Sequence, residues 1–81
     1  MGKDLHTTIN GILIPDAWDD RGNVVGVAVF TFQEEKVRIV DDRLGKALKQ
    51  YLRKRVIIDG DMITHDPTAS IRVRQYWIDS G

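Results

Sequence analysis

The sequence predicts an all-β domain with one helix, its elements ordered strand-strand-strand-helix-strand-strand. Three observations predict it. Five short segments are rich in β-branched and aromatic residues, with turn residues between them. Between the third and fourth segments the apolar spacing becomes helical. The chain has 81 residues, which is one domain spanning 1–81. A chain this short buries only about 60–65% of its unfolded surface, so the core is that of a small barrel or bundle.

The first strand is "TTINGILI", 7–14, with Gly11 marking a bulge or sharp bend. Pro15 ends it, and "PDAWDDRGN" reads as a long hairpin loop. "VVGVAVFTF", 24–32, is the second strand, "QEE" a short turn and "KVRIV", 36–40, the third strand. Leu44, Ala47, Leu48, Tyr51 and Leu52 then define one face of a helix of roughly ten to twelve residues. Asp41 or Asp42 is its N-cap. Gly45 costs it about 1 kcal/mol against alanine, or serves close packing on a neighbouring strand. "VIIDGDMIT", 56–64, bends at Gly60, "HDPT" is a turn, and "SIRVRQYWI", 70–78, is the fifth strand.

Composition bounds the function. Apolar residues are 42% and charged residues 30%, as in ordinary globular proteins. The absence of cysteine excludes disulfides, thiolate catalysis and cysteine-based zinc sites. The polar start "MGKDLHTTING" has no signal-peptide pattern and no run approaches a membrane span. The expectation is a cytoplasmic protein with no membrane partner. Twelve basic residues balance twelve acidic ones, which makes the chain no strong magnet for nucleic acid. The halves differ: residues 1–42 carry four positive and eight negative charges, and 43–81 carry eight and four.

The element order resembles the OB-fold superfamily of five-stranded Greek-key barrels, which carry a helix between strands three and four. The glycine in "INGILI" matches the bend of the first strand in such barrels. "KALKQYLRKRVIIDGDMI" is similar to their helix and following strand, and "IRVRQYWI" to their closing strand, with a bulge near Arg74–Gln75. The resemblance covers about 7–78 and identifies no family within the superfamily. It implies binding of single-stranded DNA or RNA, saccharide or protein, usually on the outside of strands two and three.

The register of the second hairpin decides what that face carries. A three-residue turn, Gln33–Glu35, turns Val25, Val27, Val29, Val37 and Ile39 inward and leaves Phe30, Phe32, Lys36 and Arg38 outside. A two-residue turn, Glu34–Glu35, puts both rings in the core. The first is favoured because it buries the valine series. Arg72 and Arg74 alternate with apolar residues and extend the cationic patch. Rings beside cations suit single-strand binding, with bases stacked and phosphates held. The nucleic-acid candidates are therefore Phe30, Phe32, Lys36, Arg38, Arg72 and Arg74. Long cations also simply solvate a barrel. Asp16, Asp19 and Asp20 in the first loop oppose phosphate binding.

The rival expectation is a protein-interaction or homodimerisation module using Trp18, Phe30 and Trp77. Trp18 is either a stacking residue or a lid over the barrel end. A bulge at Arg74–Gln75 would turn Tyr76 and Ile78 inward and Trp77 outward; without it Trp77 is core. The acidic loop lacks EF-hand spacing and is explained by turn chemistry, so no metal or other cofactor is expected. Of the two histidines, His6 and His65, the second has acidic neighbours in Asp59, Asp61 and Asp66, but no nucleophile is placed by a motif, so no catalytic residue is assigned and no enzyme is expected. In "KALKQYLRKRV" the cations read as a solvated helix stripe and as a complement to the helix C-terminal dipole.

Overall fold

The computed structural model describes residues 5–64 and 69–79. The strands are β1 (Leu5–Trp18), β2 (Val24–Thr31), β3 (Lys36–Ile39), β4 (Arg55–Thr64) and β5 (Ala69–Asp79). A short helix, α1 (Arg43–Ala47), continues as a 3₁₀ turn (Leu48–Tyr51) between β3 and β4. The strands close into a barrel in the order β1-β2-β3-β5-β4. β3 and β5 pair in parallel and every other neighbour pair is antiparallel. The all-β class, the element order and the helix position are as the sequence predicts. The "HDPT" turn and His65 lie outside the described residues.

Closure falls to β1. Its first half pairs with β4 and its second half with β2, and Gly11 and Ile12 have partners on both sides. A side chain on Gly11 would collide with the Phe30 carbonyl, so the bend read from the sequence needs glycine. β1 does not stop at Pro15. Pro15 pairs with Val27, and the ladder continues to Trp18 through a bulge that leaves Asp16 unmatched. A bulge tolerates the missing proline N–H beside it. The following pairs, Ala17 with Gly26 and Trp18 with Val24, leave Val25 unmatched. Val25 is therefore exposed rather than inward, and Val24 packs on the core in its place.

The β2–β3 hairpin takes neither anticipated register. Phe30 faces Lys36, Val29 faces Val37 and Ala28 faces Arg38. The turn residues are Phe32, Gln33 and Glu34, closed by Glu34 N–H donating to Thr31 O at 2.9 Å and Thr31 N–H to Glu35 O at 2.8 Å. The slip from the favoured register is two residues, which preserves every face. Val27, Val29, Val37 and Ile39 are buried, while Phe30, Phe32, Lys36 and Arg38 are exposed. Glu34 takes the left-handed turn position at φ 65° that glycine usually fills.

The core unites these residues with Leu13, Leu48, Val56, Ile58, Ile71 and Val73. Asp42 caps α1, its carboxylate accepting from Gly45 N–H at 3.0 Å. The helix is shorter than expected: five α residues and four 3₁₀ residues. Arg53 turns the chain at φ 70° and Arg55 already belongs to β4. The cations Arg53, Lys54 and Arg55 therefore lie beyond the helix and not in its last turn. On β5, Gly60–Val73 and Asp59–Gln75 pairing leaves Arg74 unmatched, which is the expected bulge. It turns Tyr76 and Ile78 toward the core and Trp77 outward.

Helix propensity and packing disagree at Gly45, and packing decides. A side chain there would collide with the Val40 carbonyl. Gly45→Ala is therefore expected to destabilise the fold by about 1–3 kcal/mol, despite the better helix former. Urea unfolding checks it; an unchanged or raised midpoint would refute the packing argument.

Candidate functional site

Each cation named on the sequence faces outward, and acids stand against Lys36, Arg38 and Arg74. The Asp16 bulge directs its carboxylate across β2 to β3. There Lys36 Nζ lies 2.7 Å from Oδ1 and Arg38 Nε 2.9 Å from Oδ2. Ala28, paired with both Ile14 and Arg38, is fully buried in this row. The Asp16 side chain is only 8% exposed, so one well-covered carboxylate holds two half-exposed cations. Asp16 is thus not a free loop charge facing a ligand. The β5 bulge does the same for Arg74, whose Nε donates to Asp61 Oδ2 at 2.8 Å. Arg72 is exposed, two residues from Ser70, which pairs with Arg38.

A second constellation assembles around the β1 crossing. One row runs Lys36, Phe30, Ile12, Arg55, Asp79 across β3, β2, β1, β4 and β5. The next runs Asn10, Ile57, Trp77, and Phe32 joins it by donating its N–H to Asn10 O at 3.2 Å. Phe30, Phe32 and Trp77 are 44%, 57% and 49% exposed. Ile12 and Ile57 are half-buried between them. The Arg55 guanidinium stands 5.4 Å from the Phe32 ring centroid, a cation–π contact. Its Nη1 is also 3.6 Å from Asp79 Oδ2. Arg53 and Lys54, exposed, extend the β1–β4 ladder by backbone bonds to Leu13. Sequence reasoning had the rings but missed Arg55, because the run around it reads as helix.

Trp18 is not part of this face. It pairs with Val24, six residues along β1 from Ile12 and so roughly 20 Å away. At 56% exposed it is no lid over the core. The loop beside it is a closed turn. Asp19 Oδ1 accepts from Arg21 N–H and Asn23 N–H, both at 2.9 Å. The Asn23 N–H foremost holds the Asp19 carboxyl below its ordinary pKa. No group of three metal-ligating side chains gathers among the described residues. No helix among them is long and apolar enough to cross a membrane.

One further acid sits on the β1–β4–β5 surface. Asp59 accepts from Gln75 Nε2 at 2.9 Å and pairs with His6. The Gln75 bond, opposed by desolvation and helped by His6, lowers its pKa. Comparison with family models, curated proteins and solved structures gives no match.

Asp16→Asn should cost about 1 kcal/mol in chemical denaturation, while Asp20→Asn, exposed, should stay within about 0.5 kcal/mol of the parent. Equal effects would deny Asp16 its bridging role. Asp19 and Asp59 have folded pKa values below the unfolded value of about 3.9. Their stabilisation is therefore complete above that value and is lost as pH falls through the folded pKa. Asp59→Asn should flatten the acid limb of a stability–pH profile, measured from neutral pH downward.

Proposed function

We propose that this chain is a non-enzymatic binding module of the OB type that holds single-stranded nucleic acid weakly. The barrel order, the parallel β3–β5 pair and the helix between β3 and β4 support the OB assignment. The observation that carries the ligand is the Phe32 ring under the Arg55 guanidinium, with Phe30 and Trp77 exposed on the same outer face. Rings offer stacking surfaces to any base, worth about 1–3 kcal/mol each, and cations follow the backbone. Arg53, Lys54 and Arg55 supply that charge.

The binding path on this reading runs across β2, β1, β4 and β5 and includes Phe30 and Phe32 from the sequence-based set. Lys36, Arg38 and Arg74 contribute less, because Asp16 and Asp61 already balance them. Binding is weak for the same reason: with about three phosphates contacted, the salt slope is roughly −2. A protein partner or a second copy of the chain is the alternative, favoured by the apolar contribution of Ile12, Ile57 and Trp77 to this face.

Anisotropy titration of a labelled oligonucleotide, at low and physiological salt, separates the two. Phe32→Ala or Trp77→Ala should weaken binding by about 5- to 100-fold. Lys36→Glu with Arg38→Glu should change it far less than Arg55→Glu. No binding at low salt would sink the nucleic-acid reading. Salt-tolerant self-association lost on Trp77→Ala would favour the protein interface instead.

A further inference from the structure

Beside Phe32 the surface opens into a cavity of about 280 Å³, bounded by β1, the β2–β3 turn, β3 and β4. We infer that this cavity is a pocket for one amine-bearing nucleobase, taken from a strand lying on the aromatic face. The inference rests on the nucleic-acid reading above and adds a base preference to it.

Size, lining and continuity carry it. Small-ligand pockets begin at roughly 300 Å³, so the cavity suits a single heterocycle and not a whole nucleotide with its phosphate. Its apolar lining comes from Ile9, Val37 and Met62, which belong to or pack on the core and present fixed walls. Asn10 and Gln33 bring exposed amides, each with both donor and acceptor. Glu35 is the one formally charged residue in the lining. A lining with a carboxylate and no cation disfavours phosphate and accepts hydrogen bonds from an exocyclic amine. Cytosine, adenine and guanine carry such an amine, and thymine does not.

The pocket is preorganised. Phe32 lines it and is also the ring under Arg55, so the stacking face and the cavity share a wall. Phe32 N–H is tied to Asn10 O. Glu35 is held twice on Thr31, its N–H donating to the hydroxyl at 3.1 Å and its carbonyl accepting at 2.8 Å.

Two labelled homopolymers of equal length, oligo-dC and oligo-dT, test it with the full chain. They are both pyrimidines; dC presents the amine where dT presents a carbonyl, and dT also carries a 5-methyl group. Wild type is expected to bind oligo-dC at least about fivefold more tightly, the size of one net hydrogen bond. Glu35→Ala, which removes the acceptor that a glutamine would keep, should bring dC down to the dT value and leave dT unchanged. The Met62 methyl resonance should shift with dC and not with dT. Equal binding of the two homopolymers, or a dC preference that survives in Glu35→Ala, would overturn the pocket and leave the nucleic-acid reading standing. No binding of either homopolymer would remove both.

Discussion

The barrel closes through two consecutive residues of β1. Gly11 pairs with Thr31 on β2 and Val56 on β4, and Ile12 pairs with Phe30 and Arg55. Only a glycine lets the β2 backbone come this close. The crossing also fixes the outer surface. It brings the end of β2 and its turn beside the start of β4, two regions far apart in sequence. Phe30 and Phe32 thereby share a face with Arg55, Ile57 and Trp77. A β1 that paired with β2 alone would leave the rings and the Arg55 guanidinium on separate surfaces. The site is therefore a product of closure, and its geometry is no softer than the barrel itself.

Bulges then distribute the charge. An unmatched residue re-aims a side chain, and two of the three bulges among the described residues bring opposite charges together. The β1 bulge carries Asp16 to Lys36 and Arg38, and the β5 bulge carries Arg74 to Asp61. These pairs form within each half of the chain and leave its charge asymmetry in place. The basic surplus stays where six cations, from Arg43 to Arg55, precede the first acid at Asp59. That places net positive charge at the helix and the entry to β4, and near-neutrality on β2 and β3.

Much of the fold was legible because it follows from periodicity and turn chemistry. The five strands, the helix between β3 and β4, the Asp42 cap, the Gly11 bend and the Arg74 bulge all have local signatures. What stayed hidden depends on contacts distant in sequence. Pro15 reads as a strand end, and only pairing with Val27 shows a strand that passes it. The hairpin turn shifted because Glu34 accepts a left-handed conformation that its type disfavours. The face assignment survived because a two-residue slip returns every side chain to its side, but Val25 fell beyond the reach of simple alternation. Of the candidate site, the rings were visible, while the Asp16 clamp and the Arg55 contact were not. Both join residues more than fifteen positions apart.

The run "LRKRV" shows how one structural fact changes a functional weight. Cations in the last turn of a helix are explained by its dipole and require no ligand. Here the helical turns end at Tyr51, and the chain reverses at Arg53 before Arg55 enters β4. The dipole falls off within a turn, so it accounts for Lys46 and Lys49 better than for the three cations that follow. Arg53 and Lys54 stand exposed beyond that reach. Arg55 has a more specific placement: its ladder neighbours are Ile12 and Asp79, and its guanidinium stands over Phe32. A surface arginine needs only water, whereas this one is oriented on an exposed ring. Orientation of a cation over a ring lowers the entropy cost of stacking a planar, anionic chain against both. That is the physical ground for proposing a binding face on this seam and not on the neutralised face of β2 and β3.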